Sequence, residues 1–170
     1  INLESLVPSI NRENALNVDQ LLKSIPDGLE GGEFSKPNHI QRIFGQIIAP
    51  GENLNSLVRM GANELQKRLL KKGLLDDPKL PIENGKPRIP KRGQDIQRLD
   101  PYKVAPTMCF NKGTTVHWHP WINRSLTVRE AATIQSFPFD FEFKGKKIED
   151  KYLQIANAVP PVFSEVLAKQ

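Results

Sequence analysis

Apolar residues recur along this chain in short bursts of different period, and the bursts divide it into elements. Ile40, Ile43, Phe44, Ile47 and Ile48 fall at i, i+3, i+4, i+7 and i+8. That stripe predicts an amphipathic helix starting after Asn38 and ended by Pro50 and Gly51. Residues 62–72 repeat the period, with Leu65, Leu69 and Leu70 on one face, lysines and arginine elsewhere, and Gly73 as the stop. Asn17 caps a shorter helix to about residue 25, after an irregular lead-in over residues 1–16. Gly28, Gly31 and Gly32 follow no hydrophobic strand, so they read as a turn and not as a phosphate loop. Over residues 76–92 Pro78, Pro81, Pro87 and Pro90 interrupt any period, which predicts a long surface loop. The pattern then becomes β-like over residues 104–110 and 114–119, and Asn111-Lys112-Gly113 between them signals a hairpin. Thr127 and Glu130 have the spacing of a capping box for a helix to about Gln135, ended at Phe137-Pro138. Two short helices complete the chain, one over residues 149–156 and one after Pro160-Pro161.

Composition narrows the class. With 170 residues, 38% of them hydrophobic, and 14 prolines, the chain suits a loop-rich body with modest cores. No apolar run reaches the ~20 residues of a membrane span, and no signal-peptide pattern opens the sequence. One cysteine, Cys109, leaves no internal disulfide and fits a reducing compartment. Beginning at Ile1, the chain reads as a fragment, a processed product or a piece of something longer. Net charge is +5, but residues 61–130 alone carry +7, between segments of −2 and zero. A local basic segment is what a polyanion-binding surface needs, and also what a solvated surface looks like. His117 and His119 fall on one strand face near Cys109, yet no metal-ligand frame accompanies them, so no metal is expected.

The chain's last 50 residues hold two blocks in fixed order. Arg124, Leu126, Thr127, Arg129, Glu130, Ala132, Gln135, Phe137 and Pro138 form the first, preceded by His119-Pro120; residues 156–161 read Ala-Asn-Ala-Val-Pro-Pro. This sequence resembles the last two motifs of DNA cytosine-5 methyltransferases. Upstream, Arg98-Leu99, Tyr102 and Ala105-Pro106-Thr107 resemble the family's target-recognition region. The resemblance implies a mixed α+β fold. A small loop-rich recognition domain with a hairpin is followed by C-terminal helices that return to a Rossmann-like α/β core, whose main part is absent from this chain. Residues 1–35 are then a linker or the end of the catalytic domain, 36–123 the recognition domain, and 124–170 the closing motifs.

Site residues follow from the same resemblance. Asn157 and Ala158 would contact S-adenosylmethionine, bound mainly by the missing N-terminal part. Thr107 would touch the DNA backbone, and Arg98, Lys103, Lys112, Arg88, Lys91 and Arg92 are candidates for phosphates or base edges. Arg124, Thr127, Arg129 and Glu130 would organise structure around a helix start, where a carboxylate suits the positive end of the dipole. Ala156 stands where the family usually has Gly, which would cost about 1 kcal/mol if that position needed positive φ. No catalytic residue is expected here: the cofactor loop, the Pro-Cys nucleophile pair, the Glu-Asn-Val acid and the Arg-x-Arg pair are all missing, and Cys109 follows Met108, which suits a structural cysteine. The segment alone is therefore expected to be inactive. Its expected partners are double-stranded DNA and the N-terminal catalytic portion or a complementary subunit. Its expected place is the cytoplasm, nucleoid-associated if bacterial, in a restriction–modification system. A non-catalytic DNA-binding module, or the tRNA-directed branch of the family, are the competing readings.

Overall fold

A computed structural model describes residues 15–29, 32–88, 96–111 and 114–169 of the chain. Helix α1 (Val18–Lys23) starts where Asn17 and Gln20 exchange side chain–backbone bonds of 2.9 Å in both directions. Helix α2 (His39–Gly45) starts the same way with Asn38 and Gln41. Two backbone amides that would otherwise lack partners are satisfied at each start.

α2 stops earlier than its apolar stripe predicts. Arg98 takes the carbonyls of Gly45 (2.7 Å) and Ile48 (2.9 Å), and the Ala49 amide goes to Glu52 Oε2 at 2.9 Å. Those are groups a continuing helix would need for its own ladder. Ile47 and Ile48 still reach the core, from the turn beyond the helix end. Helix α3 (Leu54–Met60), capped by Asn53 with Ser56, is an element the periodicity did not predict, because only Leu54 and Leu57 of its seven residues are buried. Gly61, at φ 85°, joins it to α4 (Ala62–Lys71). α4 ends as a Schellman motif: Gly73, at φ 66°, donates to Leu70 O and Leu74 donates to Leu69 O.

The stretch over residues 76–92, expected to be plain loop, contains a small antiparallel ribbon, β1 (Ile82–Glu83) with β2 (Lys86–Pro87). Asn84 and Gly85 both have positive φ, 51° and 72°, as a two-residue hairpin turn requires. That Asn-Gly pair was the overlooked signal. Further on, β3 (Gln97–Arg98) pairs in parallel with β6 (His117–Trp118), and β4 (Phe110–Asn111) pairs antiparallel with β5 (Thr114–Thr115). The expected long hairpin thus forms only near its tip, whose turn residues Lys112 and Gly113 lie outside the described residues. Residues 104–109 form neither strand nor helix. The physical reason sits at His117: its Nε2 accepts the Cys109 amide at 3.1 Å, so a side chain takes a bond that a ladder would otherwise make.

Helices α5 (Val128–Ile134), α6 (Ile148–Asn157) and α7 (Pro161–Ala168) close the chain, the last with Pro161 at its first position. Ala156 lies inside α6 and has no positive φ, so the strain considered for a Gly-to-Ala change does not arise. Two apolar clusters form. One gathers α2, α3, α4, Leu80, Ile96 and Trp118; the other gathers Val18, Leu99 and Met108 with Leu126, α5, Tyr152 and Ile155. Leu99 and Met108 thus share one core with the C-terminal helices α5 and α6. The architecture is mixed helix and small sheets.

Candidate nucleic-acid interface

Arg124 and Glu130 form the polar centre of the closing motifs. Arg124 Nη1 and Nη2 each donate to one Glu130 oxygen at 2.7 Å, a two-pronged pair with the carboxylate side chain 7% exposed. Glu130 Oε2 also accepts the Thr127 amide at 2.7 Å, while Thr127 Oγ1 accepts the Glu130 amide at 3.1 Å. The capping box is therefore present with its carboxylate shared with an arginine. Burial alone would raise the Glu130 pKa, but the Arg124 and Thr127 bonds outweigh it, and the net direction is down. Arg129 lies on the opposite side and donates to Pro138 O (3.2 Å) and Phe141 O (3.0 Å), pinning the chain that leaves α5.

His119 stands beside this pair, its Nε2 3.9 Å from Glu130. Its Nδ1 accepts the amides of Trp121 and Ile122, both at 3.1 Å, so in the neutral ring the proton sits on Nε2. Burial lowers the pKa of both His119 and His117. These shifts fix a pH dependence. Each histidine has a folded pKa below its ordinary 6.5, so its contribution is complete above pH 6.5 and is lost as pH falls. Glu130, held below its ordinary 4.5, is lost in the same direction at lower pH. The melting temperature is expected to decline from pH 7 to 5 and more steeply below 4.5; a flat profile from 7 to 4 in thermal unfolding would contradict it.

A cleft of about 580 Å³ opens over these groups, walled by Leu22, Ile25, Tyr102, Trp121 and Ile122. Tyr102 and Trp121 are 75% and 56% exposed and meet edge to face, with centroids 6.2 Å apart. Sequence reasoning passed over Trp121, since an aromatic outside any period carries no burial signal.

The DNA candidates divide by position. Thr107 and Lys103 are exposed on the stretch between β3 and β4; Lys103 reaches Asp100 at 3.2 Å and stays 78% exposed. Cys109, on the same stretch, is exposed and not a buried structural thiol. Arg88 stands on the separate β1–β2 ribbon, paired with Glu83 at 3.2 Å. Lys91, Arg92 and Lys112 lie outside the described residues. Arg98 is a correction. It is 5% exposed and donates to the carbonyls of Gly45, Ile48, His119, Pro120 and Ile122 and to Asn123 Oδ1. Its guanidinium is committed inside the protein and faces no phosphate. Gly45 makes this possible: a Cβ there would collide with Asn123 and the Trp118 ring.

Of the cofactor candidates, Asn157 is exposed at the end of α6. Ala158 is extended (φ −80°, ψ 141°) and its carbonyl accepts from Gln135 Nε2 at 3.2 Å. That bond ties the second closing motif to the first. Among the described residues no group of three His, Cys, Asp or Glu side chains could hold a metal ion, and no helix is long and apolar enough to cross a membrane.

The chain belongs to the C-5 cytosine-specific DNA methylase family, whose model matches residues 35–170. It is 45% identical over 156 residues to the type II methyltransferase M1.HphI of Haemophilus parahaemolyticus, covering 82% of this chain and 40% of that protein. It is 38% identical over 87 residues to the type II methyltransferase M.AquIB of a Picosynechococcus species, covering 45% of this chain and 62% of that protein. With the type II methyltransferase M.DdeI of Desulfomicrobium norvegicum it shares 39% identity over 84 residues, 45% of this chain and 20% of that protein. The matches thus span less than two thirds of each relative's length. No solved structure matches the chain.

Proposed function

We propose that the chain is the DNA-recognition and pocket-closing part of a DNA (cytosine-5)-methyltransferase of a restriction–modification system. The observation that carries this reading is the match over residues 35–170, joined to the Arg124–Glu130–Thr127 geometry. In this reading residues 36–123 form the recognition domain and 124–170 close the catalytic domain, with residues 1–35 leading in. Its partners are duplex DNA and the remainder of the catalytic domain, which carries the Rossmann-like core and the chemistry. The enzyme works in the cytoplasm.

Two surfaces support it. Thr107 and Lys103 offer a hydroxyl and an ammonium from one exposed stretch, the combination that positions a phosphate backbone beside a flipped cytosine. α7 buries none of its residues and exposes Val162, Phe163 and Leu167, and Leu153 and Val159, shortly before it in the chain, are exposed as well. Such an apolar face calls for cover, and the rest of the catalytic domain supplies it. Asn157 and Ala158 lie in the chain just before α7. An exposed amide and a small residue fit the edge of a cofactor site and not its floor, so most of the S-adenosylmethionine would be held elsewhere. Bound there, the cofactor supplies the methyl group.

The recognition half of the reading has a direct test in the complete methyltransferase. Thr107→Val is expected to weaken binding of duplex DNA about 5- to 10-fold, the worth of one phosphate hydrogen bond. Lys103→Ala is expected to lower the slope of log affinity against log salt by about 1. Unchanged affinity and slope in both variants would remove these residues from the interface.

A further inference from the structure

Three grooves join end to end across the recognition half. The first lies beside the end of α4 and is lined by Gln46, Lys71 and Lys72 among others. Gln46 and Lys72 also line the second, which continues to Trp121. Trp121 then borders the cleft that it shares with Tyr102. Beyond Tyr102 comes Lys103, on the stretch that carries Thr107. The furrow therefore starts at the DNA contacts proposed above and leads away from them to α4.

Its charge becomes one-sided beyond the cleft. No carboxylate lines the first groove or the second. Lys67, Lys71 and Lys72 are exposed and, among the described residues, have no ion-pair partner, whereas Arg68 between them is held by Glu52 and Glu64. A helix C-terminus carries only about −0.5 of a charge, so the end of α4 does not account for three unpaired lysines. Asp19 and Glu130 line the cleft itself, held there by Lys23 and Arg124, while the two grooves beyond it carry no carboxylate and are edged by cations, the chemistry that suits the phosphates of a polynucleotide.

We propose that duplex DNA flanking the target site runs along this furrow, with its phosphates on Lys67, Lys71 and Lys72. The inference rests on the recognition reading above and extends it to contacts outside the target sequence. These contacts carry no sequence information; they lengthen the footprint and set its salt dependence.

The test uses the complete methyltransferase and two duplexes, one trimmed to the recognition sequence and one extended by about a helical turn on each side, about 10 base pairs. Wild type is expected to bind the extended duplex more tightly, with a steeper salt slope. Lys67→Ala/Lys71→Ala/Lys72→Ala is expected to lower the slope on the extended duplex by about 2 to 3, at about 0.9 per lost phosphate contact. Its behaviour on the trimmed duplex and its melting temperature should match wild type, and the corresponding triple arginine variant should keep the steep slope. No gain from extension in wild type, or a gain that survives the alanine substitutions, would overturn the furrow while leaving the recognition reading intact. The first result is also the one an acidic protein occupant would give. Failure of wild type to bind either duplex would overturn both.

Discussion

Arg98→Ala is expected to cost the fold upwards of about 4 kcal/mol, because five carbonyls and one side-chain amide oxygen lose their donor at once. Hydrogen bonds from a charged donor are each worth about 1.5–3 kcal/mol, and buried carbonyls left without partners add their own cost. Burial opposes the charge, pulling the Arg98 pKa down, so these bonds have to outweigh a desolvation penalty before they stabilise anything. Those bonds tie three stretches of chain: the end of α2, β3 itself and the turn over residues 119–123. Arg98→Lys should recover little, since an ammonium presents three donors from one point while the site is built for a flat fork. Urea unfolding gives the stability, and the near-ultraviolet signal of Trp118, 6.0 Å beneath the guanidinium, reports the local packing. A loss under about 1 kcal/mol would mean the bonds are replaceable by water, and the staple account would fail.

The second large effect is at the closing motifs. Glu130→Ala should destabilise by about 3–5 kcal/mol, since it leaves the Arg124 charge without a counter-ion and removes the carboxylate half of the α5 capping box, the bond from the Thr127 amide. Arg124→Met combined with Glu130→Leu should recover most of that loss, because replacing both members of a buried pair removes the two desolvation penalties as well. About 1 kcal/mol should persist for the unreplaced Thr127 amide bond. If the double variant were no more stable than Glu130→Ala, the loss would stem from packing and not from an isolated charge.

Both effects bear on how much of this molecule was legible in its sequence. The Thr127–Glu130 cap, the helix starts at Asn17 and Asn38 and the stop at Gly73 were readable because each depends on residues within a few positions of one another. The family was readable too, from Arg124 to Pro161. Arg98 was not. Its position after a basic loop suggested a phosphate contact, and nothing local revealed carbonyls 50 and more residues upstream waiting for it. The same long-range bonds cut α2 short, so one unseen interaction accounts for two errors. The hairpin at residues 104–119 failed for a related reason: His117 satisfies the Cys109 amide through its ring, and β6 pairs with β3 in parallel, a contact set by tertiary packing. The β1–β2 ribbon, by contrast, was announced by Asn84-Gly85 and passed over because the prolines around it weighed more. Helix α3 escaped because a cap and two buried leucines are too few to make a period.

The central claim, a recognition and closing part of a cytosine-5 methyltransferase that acts on DNA, is tested most directly by following the methyl group. The complete methyltransferase, or this chain combined with the polypeptide bearing the catalytic half, is incubated with labelled S-adenosylmethionine and either duplex DNA or tRNA. The products are digested to nucleosides and separated by mass. The account requires label in 5-methyldeoxycytidine from the duplex, none from tRNA, and none from duplex DNA when this chain is present alone. Label recovered from tRNA, or no labelled cytosine from duplex DNA with both halves present, would contradict it.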